Sequence, residues 1–148
     1  MKRNPARKKI LIAEDEIIIA LDIQKILINN NYKICSIVFS GEEAIRKAVE
    51  EKPSLILMDI MLQGSINGIQ AAEAISQKQN IPIIFLTGVD GNETLAKVQI
   101  TERFRYISKP YDEEILRSVI EDTLHKNQNG SPPNLEPRIF GSLKFFKN

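Results

Sequence analysis

The chain has 148 residues, 20 of them Lys or Arg and 19 Asp or Glu, for a formal charge of +1. That length suits one domain able to bury roughly two-thirds of its unfolded surface. So small a charge provides no general field to draw in nucleic acid or an anionic membrane, and neither is expected as a partner. A lone cysteine, Cys35, excludes an internal disulfide and fits a reducing compartment. No apolar stretch approaches the ~20 residues of a membrane span, so a cytoplasmic protein is expected.

Residues 1–7 (MKRNPAR) read as a basic N-terminal arm. A first strand, 9–13, leads to Glu14 and Asp15, and 16–30 carries Ile17, Leu21, Ile23, Leu27 and Ile28 close to helical spacing. The Asn29–Asn31 run stops that helix. YKICSIVF is β-branched enough for a second strand, and Ser40 with Glu43 three residues on forms a capping box for a helix over about 41–51, ended by Pro53. LILMD is the third strand and delivers Asp59. The Gln63–Gly68 segment is a loop, and IQAAEAISQ an Ala-rich helix. Pro82 opens a fourth strand that ends on Thr87. The stretch 90–101 is helix-compatible but weakly apolar, as suits an element that moves cheaply. YIS is the fifth strand, leading to Lys109 and Pro110, and Asp112 to Lys126 is a helix with one apolar face.

Strict alternation with short links predicts an α/β, doubly wound (βα)5 fold of flavodoxin-like type, with a five-stranded parallel sheet in the order 2-1-3-4-5 over residues 8–127. Residues 128–148 read as an Asn/Pro/Gly-rich flexible linker and a short apolar tail. Too few residues follow position 127 for a winged-helix DNA reader, so no DNA-binding output domain is expected.

Apolar runs bounded by polar residues are strands buried on both faces, and ligands sit beyond their carboxyl ends. Glu14, Asp15, Asp59, Thr87 and Lys109 would therefore meet at one sheet edge. Three carboxylates there repel unless a cation compensates. All-oxygen ligands select a hard ion, so magnesium, or manganese in its place, is expected beside a phosphate. Asp59 can then attack phosphorus as a carboxylate nucleophile, with Lys109 and the Thr87 hydroxyl on the phosphoryl oxygens. The bland readings are a helix cap for Asp15, a turn residue for Thr87, a solvated charge for Lys109 and a core ring for Tyr106. Each is the better reading of its residue in isolation, and the ordered set reverses that.

Taken in order, Glu14–Asp15, Asp59 after LILM, Asn67–Gly68, Thr87–Gly88 and Lys109–Pro110 make the chain resemble the receiver domains of two-component response regulators over roughly 8–127. The resemblance implies a phosphorylation switch. Asp59 accepts a phosphoryl group from a sensor histidine kinase, while Asp15, Asp59 and the backbone carbonyl of Met61 hold magnesium and Glu14 acts through a metal-bound water. Lys109 pairs with the phosphoryl group, aimed by a cis peptide before Pro110. Thr87 and Tyr106 form the switch, whose movement is read by a downstream protein. Catalysis is then limited to the chain's own phosphorylation and dephosphorylation, in a monomer or weak homodimer.

Three features depart from the family pattern. The first acid is Glu rather than Asp. The loop IMLQGSING lacks the proline often found four residues after the acceptor and is one residue longer. Met61 and Val89, apolar positions flanking the phosphoryl group, would slow water attack. Two other readings remain open: a pseudo-receiver that signals without phosphorylation, and a magnesium-dependent phosphatase of the same fold.

Overall fold

The computed structural model of the chain describes residues 7–88 and 104–128. The helix expected over 90–101, nearly all of the basic arm and nearly all of the C-terminal linker and tail lie outside the described residues.

The elements run β1 (Lys9–Ala13), α1 (Ile17–Asn29), β2 (Lys33–Val38), α2 (Gly41–Glu51), β3 (Leu55–Asp59), α3 (Gly68–Lys78), β4 (Ile83–Thr87), β5 (Phe104–Ser108) and α4 (Glu113–Gln128). All strand pairs are parallel, in the order β2-β1-β3-β4-β5. The expected sheet order is the observed one. β3 and β4 are buried at every residue, which is why they read as continuous apolar runs rather than alternating ones.

Alternation along each strand feeds two cores. Ile10, Ile12, Leu55, Leu57, Ile84 and Leu86 face α1 and α4, where Ile23, Leu27, Leu116 and Ile120 meet them. Leu11, Ala13, Ile56, Met58 and Phe85 face α2 and α3, whose contacts are mostly small or Ile: Ala44, Ala48, Ala71, Ala72 and Ile75. Side chains at successive strand positions point to opposite faces, so one sheet serves both layers.

Helix ends are set by local chemistry. Ser40 accepts from the Glu43 N–H at 3.2 Å and the Glu43 carboxylate accepts from the Phe39 N–H at 3.1 Å, which starts α2. Lys52 adopts a left-handed conformation (φ 47°) just before Pro53 and ends it. Asn67 and Gln70 form a reciprocal capping box on α3, so the last residues of the loop expected over Gln63–Gly68 are the start of that helix.

α1 departs from expectation in orientation. It buries Ala20, Ile23 and Leu27 and leaves Ile17, Ile18, Leu21 and Ile28 exposed. The helix is apolar on most sides, so hydrophobic spacing alone did not choose its inward face.

Candidate functional site

Register assembles the site. Ala13 pairs with Met58, so the next residues of their strands, Glu14 and Asp59, stand side by side. Asp59 pairs with Leu86 and Thr87 with Ser108, which brings the residue after β5, Lys109, to the same edge. The Lys109 N–H donates to the Thr87 carbonyl at 2.7 Å, and the Glu14 N–H to the Val38 carbonyl at 3.0 Å. Parallel strands carry these five chain segments to one end because each helix returns the chain to the opposite end.

One carboxylate oxygen from each of Glu14, Asp15 and Asp59 lies within 4.8 Å of the others. Lys109 Nζ sits between two of them, 3.4 Å from Glu14 Oε1 and 3.6 Å from Asp59 Oδ2. Glu14 is fully buried, Asp59 nearly so and Asp15 half-buried. Burial pushes the Glu14 carboxyl up to about 7; the Glu16 N–H on Oε2 and the Lys109 charge pull it down, and the Asp59 charge pushes it up again. The Met61 N–H donates to Asp59 Oδ1 at 3.3 Å, with the Met61 side chain half-exposed.

Among the described residues Lys109 is the cation paired with these acids, and even with it the Glu14 carboxyl stands at about 7. A hard divalent ion would supply the missing charge, and three carboxylate oxygens are the donors that such an ion takes. Magnesium or manganese fits this donor set.

Thr87 is fully buried at the end of β4 and its hydroxyl donates to the Gly88 carbonyl at 3.1 Å. Tyr106 is buried against the α2–α3 layer. The Lys109–Pro110 peptide is cis, as the resemblance implied. Glu14, Asp15, Asp59, Thr87 and Lys109 therefore lie at one edge, with Tyr106 lower on β5 opposite Phe85; Val89 lies outside the described residues.

Two contributors carried no clear signal in the sequence. Tyr111 packs against the core shared by α1 and α4, and its phenol is pushed above the ordinary range by burial, and then by the charges of Glu14, Asp22 and Asp59. The second is Glu42, whose carboxylate reaches Ser65 in the loop after β3. Neither contact has a local pattern, since partners 23 or more residues apart meet only through the fold.

The model of the response regulator receiver domain matches residues 10–121. The transcriptional regulatory protein PdtaR of Mycobacterium tuberculosis is 32% identical over 114 residues, which cover 77% of this chain and 55% of the relative. Among solved structures, the signal receiver domain of a modulated diguanylate cyclase from Desulfovibrio desulfuricans is 30% identical, with a TM-score of 0.74 over 85% of this chain and all of that one. The anti-anti-sigma factor PhyR from Bartonella quintana is 28% identical, with a TM-score of 0.71 over 85% of this chain and 51% of that one. The chain spans about half the length of the curated relatives it matches. Among the described residues no helix is long and apolar enough to cross a membrane. Sheet order, the acidic edge and the family match agree: this chain belongs to the response regulator receiver domain family.

Proposed function

We propose that the chain is a phosphorylation-dependent signalling switch whose acceptor is Asp59. A carboxylate oxygen of Asp59 attacks the phosphorus of a phosphohistidine on a sensor kinase. The new P–O bond replaces the P–N bond, and the freed imidazole takes a proton. Asp15, Asp59 and the Met61 carbonyl would hold magnesium, with Glu14 behind them. Bound there, the ion offsets charge on the phosphoryl oxygens.

The chain's own residues do the rest. Lys109 neutralises charge at Asp59 and turns to the phosphoryl oxygens once they arrive. The Met61 N–H orients the Asp59 carboxylate. Thr87, buried one residue beyond the strand partner of Asp59, is the group that a phosphoryl oxygen recruits, and Tyr106 moves with it. No other substrate is turned over. Output goes to a protein partner rather than to nucleic acid; the likeness to PhyR, an anti-anti-sigma factor, supports protein-directed signalling.

The observation that carries this reading is the placement of Lys109 Nζ between Glu14 and Asp59, at 3.4 and 3.6 Å. Incubation with a small-molecule phosphodonor and magnesium tests it by intact mass. Wild type gains one phosphoryl group, labile as an acyl phosphate, and Asp59→Asn gains none. A wild-type chain that stays unmodified overturns the proposal in favour of a pseudo-receiver, and sustained turnover of phosphoesters would favour a phosphatase.

A further inference from the structure

The loop between Asp59 and α3 is tied to a part of the chain that the proposed chemistry does not use. Its two ends close on the acceptor strand: the Met61 N–H donates to Asp59 Oδ1 at 3.3 Å, and the Gly68 N–H to the Ile60 carbonyl at 2.8 Å. Its middle is held from outside. Glu42 Oε2, on the second residue of α2, accepts from both the N–H of Ser65 at 3.1 Å and its hydroxyl at 2.8 Å. Gln63 adds a bridge to Ser40 and an N–H bond to the Phe39 carbonyl at 3.4 Å.

The loop is shaped to receive that carboxylate. Gly64 has φ +98°, and a Cβ there would stand 2.4 Å from Glu42 Oε1. The two adjacent acids of α2 divide their work: Glu43 turns back onto the start of its own helix, while Glu42 turns out to the loop. Hydrogen bonding from Ser65 holds the Glu42 carboxyl below the ordinary range, so the side chain stays ionised and accepting at neutral pH.

We infer that Glu42 is a positioning residue for the Asp59 site: by clasping Ser65 it fixes the loop that carries Met61, and so sets how tightly the site takes a divalent cation. The inference rests on the metal-assisted reading above. Glu42 touches neither the acids nor Lys109, so its effect is transmitted through the backbone from 65 to 61. Supporting groups behind a metal site are worth about tenfold or more in affinity when removed.

Reach and charge give opposite expectations. Glu42→Gln keeps an acceptor oxygen at the same reach without charge. Glu42→Asp keeps the charge at the helix N-terminus but is one methylene too short. If the clasp operates, Glu42→Ala and Glu42→Asp weaken magnesium binding by about tenfold, Glu42→Gln stays near wild type, and Ser65→Ala, which retains its N–H, falls between. Amide hydrogen exchange in the metal-free protein gives a second readout: residues 61–66 exchange faster in the Ala and Asp variants, and those of β1 and β4 do not.

Magnesium alone, titrated calorimetrically into each folded variant, is the probe. Equal affinity in Ala and wild type overturns the inference, as does an Asp variant that binds like wild type while Gln is weak, which would make Glu42 a plain electrostatic contributor. A wild-type chain that binds no magnesium would instead sink the metal-assisted reading, while faster loop exchange in the Ala variant would still report the clasp.

Discussion

The ammonium nitrogen of Lys109 lies 3.4 Å from Glu14 Oε1, between residues 95 apart in sequence. Glu14 has no exposed surface, whereas Lys109 keeps about a quarter of its side chain in solvent, 26%. The pair thus joins a fully desolvated acid to a partly solvated cation. Burial and the Asp59 charge oppose ionisation of Glu14, and the Lys109 charge favours it.

Lys109→Met keeps the stem and removes the charge. In chelator at pH 8 it should cost about 2 kcal/mol, less than a fully buried pair loses because Lys109 is partly solvated. At pH 6 the loss should shrink, since Glu14 then carries a proton and needs no partner. Urea unfolding at the two pH values checks this; an equal loss at both would show that the pair is not what Lys109 stabilises.

Glu14 is raised from an ordinary 4.5 to about 7 in the folded chain. Between those values the folded state binds a proton that the unfolded state has released, so metal-free stability falls as pH rises through this window and levels off above about 7. The contribution is complete below about pH 4.5. Metal binding must displace the same proton, so magnesium affinity should climb from about pH 6 to about pH 8. Glu14→Gln should flatten this part of the stability profile. Denaturant unfolding in chelator across pH, with parallel magnesium titrations, measures both, and a stability rising from pH 5 to 7 in wild type but not in the Gln variant would contradict the assignment.

At Gly68 a Cβ would stand 2.1 Å from the Asp59 carbonyl oxygen and 3.0 Å from Ile60 Cα, both backbone atoms with nowhere to go. Gly68→Ala should cost about 3 kcal/mol and displace the end of β3. Gly64→Ala meets only the movable tip of Glu42, plus the cost of φ +98° in a residue with a Cβ, so about 1 kcal/mol is expected. Thermal unfolding of the two variants tests the order, and a milder effect at 68 than at 64 would refute the close approach.

Much of the fold is legible in the sequence. Runs such as KILIA and LILMD reveal strands because a doubly buried strand tolerates few polar residues. The residues following them, Glu14, Asp15, Asp59, Thr87 and Lys109, could be assigned to one edge because parallel strands joined by helices all point one way. Even the Ser40–Glu43 cap was visible, since its partners lie within one turn.

Other features were settled only in three dimensions. α1 is apolar nearly all round, and its inward face was decided by packing on α4 and the sheet, which buries Ala20 and leaves Ile18 80% exposed. The Glu42–Ser65 clasp and the burial that raises Tyr111 depend on how loops and helix ends come together, and no short-range pattern encodes them.

The sequence by itself determined which residues end each strand, because burial dictates composition and connectivity dictates direction. Only the tertiary structure decided what separates three similar acids: Glu14 is sealed from water and raised toward neutrality, Asp59 accepts the Met61 N–H, and Asp15 remains half-buried. Charge type is written in a side chain, but its proton affinity is set by the solvent it loses and the charges it meets.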